Sequence, residues 1–138
     1  VENVLRSFPQ LRMCVPHLGA DEFSAYQRLI ESCDNLWLDT AVALTDFLPI
    51  GPAPDIERLR PDRVMYGSDF PNLAYAWDRE LKWIAARRLP QARIEQLLHG
   101  NAVEFFRLEP LEPLGASASP GVESCSGPDS RGSRQVKP

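Results

Sequence analysis

The sequence predicts an α/β fold built around a parallel sheet, and two patterns in its first 108 residues support that prediction. Short apolar runs begin at residues 12, 35 and 63, and each has the length of a buried strand. Between and after them lie segments whose apolar residues recur at helical spacing. Each interval suits one strand followed by one helix, and strands joined in this way run parallel and are buried on both faces.

The predicted elements follow one another in the order β-α-β-α-β, with helices alone after the third strand. We expect strands over residues 12–15, 35–38 and 63–66, and helices over residues 21–33, 55–59, 73–88, 91–99 and from Asn101 onward. The helix over 73–88 has the clearest pattern, because five apolar residues share one face: Leu73, Trp77, Leu81, Ile84 and Ala85. Gly100 is expected to end the helix before it, and Asn101 to cap the last one.

The last 30 residues differ from the rest in composition. From residue 109 onward, 15 residues are Pro, Gly or Ser and none is aromatic. Such a segment buries too little apolar surface to offset its chain entropy. The sequence therefore predicts a folded part over residues 1–108 and a disordered tail over residues 109–138.

Composition and charge exclude several classes of protein. Of the 138 residues, 43% are hydrophobic and 25% are charged, which is ordinary for one globular domain. The formal net charge of −4 and the sequence pI of about 5.2 argue against nucleic acid or a membrane surface as a partner. No apolar run approaches the roughly 20 residues of a membrane helix.

The cysteines give no sign of a disulfide framework or a structural zinc site. Cys14, Cys33 and Cys125 are odd in number, widely spaced and form no C-x-x-C pair. They fit a reducing, cytoplasmic location best. The chain begins at Val1 rather than Met and no signal-peptide pattern follows, which is compatible with a natural start further upstream.

Each predicted strand is followed by polar residues that are suited to chemistry. His17 comes just after the first strand, Asp39 and Thr40 end the second, and Ser68 and Asp69 follow the third. Loops at the carboxyl ends of parallel strands converge on one edge of the sheet, where such folds build their sites. An imidazole and a carboxylate are ligand types of a catalytic zinc or a similar divalent ion, and a carboxylate there could also take a proton from bound water.

Simpler roles for these residues remain open. An aspartate in a Gly-Ser-Asp-x-Pro stretch often bonds its own turn, and a histidine in a loop is often only solvated. Trp77 is expected to pack, although it follows Asp69 closely enough to line a pocket. The common nucleotide-binding, zinc-protease and serine-hydrolase motifs do not occur in the sequence. Cys14 lies within a strand, which disfavours a thiol nucleophile.

Four stretches, in this order, resemble the amidohydrolase-related (amidohydrolase 2) family: FPQLRMCVPHLG, CDNLWLDTA, DRVMYGSDFPN and LLHGNAVEFFRL. The resemblance covers roughly residues 4–108, and GSDFP is a fairly specific element within it. The family comprises metal-dependent hydrolases and decarboxylases on a distorted (β/α)8 barrel. The resemblance therefore implies the C-terminal portion of such a TIM barrel, about strands 6 to 8, followed by the tail.

The resemblance also implies roles for individual residues. Asp69 matches the aspartate that ends strand eight, which is a metal ligand and often the proton acceptor. His17 matches the histidine that ends strand six, which positions or activates water or substrate in single-metal members and binds metal in two-metal members. Asp39 and Thr40 would line the substrate pocket, as Trp77 would from its position after Asp69. The implied cofactor is a divalent metal, with zinc preferred.

One departure from the family pattern limits what the chain can do alone. The H-x-H motif that ends strand one and the histidine that ends strand five are missing, and His17 and Asp69 fall short of the three protein ligands usual at a catalytic zinc. We therefore expect a metal-dependent hydrolase of a small carboxylated lactone, ester or amide, active only with the missing barrel half.

Other hypotheses remain beside this one. Decarboxylation is the alternative within the family, and a non-catalytic fragment or isoform is the alternative outside it. A small doubly wound α/β binding domain is a weaker third. The expected partner is a small-molecule substrate, and assembly into a homo-oligomer stays open.

Overall fold

A small parallel sheet forms the centre of the protein. The computed structural model describes residues 1–45 and 55–109, and within them three strands lie in the order β1-β2-β3. They are β1 (Met13–Val15), β2 (Leu36–Asp39) and β3 (Val64–Met65). Both strand pairs are parallel, with Cys14 opposite Trp37 and Leu38 opposite Val64. The predicted mixed α/β fold with parallel strands is therefore confirmed.

Short helices surround this sheet. They are α1 (Glu2–Ser7), α2 (Phe23–Ser32), α3 (Arg79–Ala86), α4 (Gln91–Glu95) and α5 (Asn101–Phe106). Two 3-10 segments, His17–Glu22 and Pro61–Arg63, precede α2 and β3, and a π-helical turn over Gln96–Gly100 joins α4 to α5. No helix in the described residues is both long enough and apolar enough to cross a membrane.

Two helix predictions were wrong in extent. The helix expected over residues 73–88 begins only at Arg79, because turn contacts hold the preceding segment, including a hydrogen bond from the Tyr75 hydroxyl to the Ser68 carbonyl. Trp77, which was expected to pack on its buried face, is 58% exposed. Residues 55–59 form hydrogen-bonded turns rather than a helix, with the Arg58 amide bonded to the Asp55 carbonyl at 3.1 Å.

The expected cap at Asn101 is also wrong. Asn101 is the first residue of α5 and makes no capping bond to that helix. Its side-chain amide instead donates to the carbonyl oxygens of Pro61 and Val64, each at 2.7 Å. These carbonyls lie on the segment entering β3, and Asn101 is buried, so the side chain joins α5 to the sheet. α5 does not need a side-chain cap, because the π-helical turn over Gln96–Gly100 runs directly into it.

The two faces of the sheet have different neighbours. Leu36, Leu38 and Val64 belong to the hydrophobic core that the helices complete, and Met13 and Val15 pack against that core. Because side chains alternate along a strand, the opposite face carries Cys14, Trp37, Asp39 and Met65.

Trp37 is buried by its neighbours on that opposite face. The guanidinium carbons of Arg12 and Arg63 lie 4.8 and 4.5 Å from the centroid of the Trp37 ring. The ring of Phe105 in α5 meets Trp37 edge-on, with 5.2 Å between the two ring centroids. These contacts leave Trp37 only 3% exposed. The polar residues at the carboxyl end of the sheet lie above this packed layer. The predicted tail over residues 109–138 falls outside the described residues from residue 110 onward.

Candidate active site at the strand ends

His17 is held by the loop that follows the neighbouring strand. Its backbone N–H donates to Oδ1 of Asp39 at 3.2 Å, and its ring Nδ1 lies 2.8 Å from the carbonyl oxygen of Ala41. A carbonyl oxygen can only accept, so Nδ1 carries a proton and donates it. In the neutral ring this leaves Nε2 with a free lone pair. The imidazole is thereby oriented for accepting a proton or binding a metal through Nε2.

Asp39 acts within the protein as the link between β1 and the loop after β2. Its Oδ1 also accepts the Ala41 amide at 3.0 Å, and its Oδ2 lies 3.8 Å from the Cys14 thiol. Burial, with a smaller contribution from Asp39, raises the pKa of Cys14 to about 12. The thiol therefore stays protonated at neutral pH, which agrees with the expectation that Cys14 is no nucleophile.

Thr40 joins the ends of β2 and β3. Its hydroxyl donates to the Gly67 carbonyl at 3.3 Å and accepts the Gly67 amide at 3.1 Å. Thr40 is fully buried, and a Cβ at Gly67 would lie 3.2 Å from the Cβ of Ala41. Glycine at position 67 thus lets the two loops approach closely. Thr40 positions these loops, and its predicted contact with substrate stays a prediction.

Asp69 lies on the third strand-end loop. Its Oδ1 accepts the Asn72 side-chain amide at 2.9 Å, and its backbone carbonyl accepts the Asn72 amide at 2.9 Å. The turn-forming role that the sequence left open is therefore real, but within the part of the chain that the structure describes it uses only one of the two carboxylate oxygens. Trp77 follows at the rim, where its carbonyl accepts the Tyr66 hydroxyl at 3.4 Å. No hydrogen bond among the described residues joins Asp69 to His17 or Asp39.

Glu80 is a buried carboxyl group near this edge that sequence reasoning missed. It is the second residue of α3 and is 0% exposed. Its Oε1 accepts the Leu44 amide at 3.4 Å, and its Oε2 has no hydrogen-bond partner among the described residues. Burial, reinforced by the charges of Asp39 and Asp69 and opposed by the Leu44 bond, raises the pKa of Glu80 to about 7. The sequence carried one signal: Glu80 lies four residues before the buried Ile84 and so shares its helical face.

Strained backbone is concentrated in the same three loops. Among the described residues, the non-glycine positions with left-handed φ are His17, Leu18, Ala20, Val42, Asp69, Arg88 and Arg107. The last two follow the ends of helices, where a left-handed residue is a common terminator. The other five all lie after β1, β2 or β3. Such conformations cost free energy, cluster at functional sites and persist only where surrounding contacts enforce them.

The described residues supply part of a metal site but not a complete one. No group of three or more His, Cys, Asp and Glu side chains within residues 1–45 and 55–109 is arranged to hold an ion. Nε2 of His17 and Oδ2 of Asp69 are donors of suitable chemistry, whereas a catalytic zinc usually takes three protein ligands. These residues therefore do not fit a zinc ion by themselves.

The structure brings some of the predicted site residues into direct contact and leaves others apart. His17 and Asp39 are bonded to one another, and Thr40 joins their loop to the loop that leads to Asp69. Asp39 and Asp69 are both close enough to Glu80 to act on its charge. The result is a corner of the fold, formed by three parallel strand ends, with an imidazole and several carboxyl groups.

Comparison with known proteins gives this corner a context. The family model described as Amidohydrolase matches residues 1–108. No curated protein matches the chain. A crystal structure of an amidohydrolase from Burkholderia multivorans with bound zinc is similar, with a TM-score of 0.58 and 20% identity; the match covers 79% of this chain and 48% of that one.

A second structure of an amidohydrolase from the same organism, with bound HEPES, gives a TM-score of 0.56 and 21% identity, over 79% of this chain and 49% of that one. At this level of identity the likeness shows the fold. The chain spans about half the length of these two structures.

Proposed function

Because this chain belongs to the amidohydrolase family, we propose that it forms part of a metal-dependent hydrolase that cleaves a lactone, ester or amide in a small carboxylated molecule. The observation that carries the proposal is the placement of His17 and Asp69. Both follow strands of one parallel sheet, and both have the left-handed backbone that is concentrated at this edge. Among the described residues, the side-chain hydrogen bonds of His17 and Asp69 engage Nδ1 of His17 and Oδ1 of Asp69, and leave Nε2 and Oδ2 for other partners.

We propose that the chain contributes the last three strands, about strands 6 to 8, of a distorted TIM barrel. The three-stranded parallel sheet and the match to about half of a larger amidohydrolase structure support this assignment. The outer strands β1 and β3 each pair with one described strand only, so each has an edge available for a further strand. A homo-oligomer is a second way to cover those edges.

A divalent metal, preferentially zinc, is part of the proposal. The zinc bound in the Burkholderia multivorans amidohydrolase supports this choice. His17 and Asp69 would supply part of its ligands, and residues outside the described chain would supply the others. A reducing, cytoplasmic location stays part of the proposal, as expected from the number and spacing of the cysteines.

The chemistry proposed for this chain's own residues is proton transfer. Asp69 accepts a proton from water, whose oxygen attacks the substrate carbonyl carbon. The bond to the leaving oxygen or nitrogen then breaks, and the proton on Asp69 passes to that leaving atom. His17 has one lone pair for this chemistry, on Nε2, because its Nδ1 proton is committed to Ala41. It either binds the metal through Nε2 or accepts a hydrogen bond from the water there. Asp39, Thr40 and Trp77 are proposed to shape the substrate pocket around this pair.

The test uses the natural protein that contains this chain, assayed with zinc against a panel of small lactones, esters and amides. Hydrolysis is expected in the unmodified protein and should fall at least about 1,000-fold in Asp69→Asn, because the variant lacks the proton acceptor. Glu31→Gln, which alters an exposed acid on α2, should keep full activity. Undiminished hydrolysis by Asp69→Asn would refute the role given to Asp69.

The same assay distinguishes the alternatives. Release of carbon dioxide from a carboxylated substrate, without hydrolysis, would favour the decarboxylase of the same family. A non-catalytic fragment or isoform is favoured by one observation, the incomplete ligand set of the described residues. That reading predicts neither zinc binding nor turnover by the natural protein that contains this chain.

A further inference from the structure

Glu80 is unusual because its burial has no evident structural benefit. The side chain is 0% exposed, yet it makes one long hydrogen bond, at 3.4 Å, and leaves Oε2 without a partner among the described residues. An apolar side chain of similar size would fill the same space without removing a carboxyl group from water. A buried polar group of this kind calls for an explanation other than packing.

The bond that Glu80 makes leads directly to the candidate site. Its partner, Leu44, ends a fully buried turn over residues 41–44 that is closed by the Ala43 amide bonding to the Thr40 carbonyl at 2.7 Å. Thr40 anchors the start of this turn to Gly67 in the loop after β3, and Glu80 anchors its end to α3. Ala41, between the two anchors, presents the carbonyl that receives the His17 ring proton.

We propose that Glu80 is a positioning residue: by holding the Leu44 amide it fixes the 41–44 turn, and through the Ala41 carbonyl of that turn it keeps His17 in the tautomer with a free Nε2. The consequence for catalysis rests on the proposed function, since a free Nε2 is needed there. The geometric claim concerns only bonds within this chain. It stands or falls independently of metal binding and of hydrolysis.

The raised pKa of Glu80 is consistent with this placement but does not carry it. The groups that act on the Glu80 carboxyl are Asp39 and Asp69, and Glu80 in turn contributes to the raised pKa of Tyr66 and Tyr75. These four neighbours of Glu80 all lie at or beside the strand ends. Glu80 is thus part of the electrostatic surroundings of the candidate site while its hydrogen bond holds the loop geometry.

The test is NMR of the ¹⁵N-labelled 138-residue chain, without metal, in a chelating buffer. The ring ¹⁵N shifts of His17 report which nitrogen carries the proton, and the exposed His99 serves as an internal reference in the same spectrum. The unmodified chain should show His17 protonated on Nδ1 and a protected Leu44 amide. A neutral His17 protonated on Nε2 would overturn the proposal without any variant.

Three variants complete the test. Glu80→Ala should raise Leu44 amide exchange at least about 10-fold, because the Leu44 amide loses its acceptor. It should also shift His17 toward the Nε2-protonated form, because the bond from Nδ1 to the Ala41 carbonyl loosens with the turn. Glu80→Gln keeps an acceptor oxygen and should preserve both signals, whereas a purely ionic role would not survive this change. Glu31→Ala is the matched control on an exposed acid and should change neither.

Two results would refute the proposal. The first is an unchanged His17 tautomer and unchanged Leu44 exchange in folded Glu80→Ala. The second is a folded Glu80→Gln chain in which His17 is no longer protonated on Nδ1. That result would show that the hydrogen bond to the Leu44 amide, which glutamine can keep, does not fix the tautomer. If Glu80→Ala does not fold, the unmodified chain and Glu80→Gln still decide the question. If the 138-residue chain passes this test but the natural protein that contains it neither binds zinc nor hydrolyses substrate, the proposed function alone is refuted.

Discussion

Ionisation of Glu80 should destabilise the folded protein, and replacing Glu80 by glutamine should remove that effect. The carboxyl is fully buried, and its pKa rises from an ordinary 4.5 to about 7, chiefly because burial disfavours its charged form. Glutamine has nearly the same shape and retains an oxygen for the Leu44 amide. The substitution therefore isolates the charge from the hydrogen bond.

The magnitude and the sign follow from the difference in pKa between the folded and unfolded states. Because the folded pKa is the higher one, the folded state holds its proton more tightly between pH 4.5 and 7. The contribution to stability is complete below pH 4.5 and is lost as the pH rises through about 7. At 1.36 kcal/mol per pKa unit, this loss amounts to about 3 kcal/mol.

The assay is urea unfolding of the 138-residue chain, without metal, followed by tryptophan fluorescence at a series of pH values. Glu80→Gln and the unmodified chain should have similar free energies of unfolding near pH 4, and the variant should be about 3 kcal/mol more stable near pH 8.5. Glu31→Gln should show no such pH-dependent difference. A gap between Glu80→Gln and the unmodified chain that stays constant within about 0.5 kcal/mol over this range would refute the reasoning.

Two further outcomes are expected from the contacts. Asn101→Ala should lower the free energy of unfolding by about 1–3 kcal/mol in urea, because the buried carbonyl of Val64 and the partly buried carbonyl of Pro61 lose their donor; a loss below about 0.5 kcal/mol would mean that water replaces the amide. Cys14, with a pKa of about 12, should react with iodoacetamide at pH 8 at least about 100-fold more slowly than glutathione, as followed by mass spectrometry. Rapid labelling of Cys14 would contradict its burial beside Asp39.

The strands were predictable because burial on both faces leaves a continuous apolar run in the sequence. Each run was located to within one residue at its start, and the parallel pairing followed from the helices between the strands. The resemblance to the amidohydrolase family, drawn from four short stretches, is confirmed by the match over residues 1–108. These features depend on composition and order, which a single sequence displays directly.

The segment before α3 could not be predicted in the same way. Residues 73–78 continue the apolar spacing of the helix, so their local pattern is helical. The structure holds them in turns because the Tyr75 hydroxyl bonds the Ser68 carbonyl and the Asp69 loop folds back on Asn72. These are tertiary contacts, and helical spacing carries no information about them. The exposed position of Trp77 follows from the same contacts.

The sequence predicted where the candidate site residues lie in the fold, but not which contacts they make. Polar residues after apolar strands identified His17, Asp39, Thr40 and Asp69, because strand ends of a parallel sheet meet at one edge. Which carboxylate would bond which amide depends on loop conformations that the sequence does not show. Glu80 was missed because the helix expected over residues 73–88 placed it mid-helix, where an acidic side chain is usually solvated.

The backbone strain in the strand-end loops is not explained by residue types alone. Aspartate and histidine tolerate left-handed backbone better than most residues, so Asp69 and His17 could be explained by turn geometry. Turn geometry does not explain Val42, since a β-branched residue at a φ of 56° is a clear outlier.

Val42 lies inside the 41–44 turn, between the Ala41 carbonyl that holds His17 and the Leu44 amide that Glu80 holds. Glycine would relieve the strain there, but it would also loosen the turn by adding backbone freedom. A strained and fully buried valine is consistent with a turn whose two polar anchors must stay at fixed positions. The strain at Val42 and the buried carboxyl at Glu80 are therefore two costs of the same structural requirement, the fixed orientation of His17.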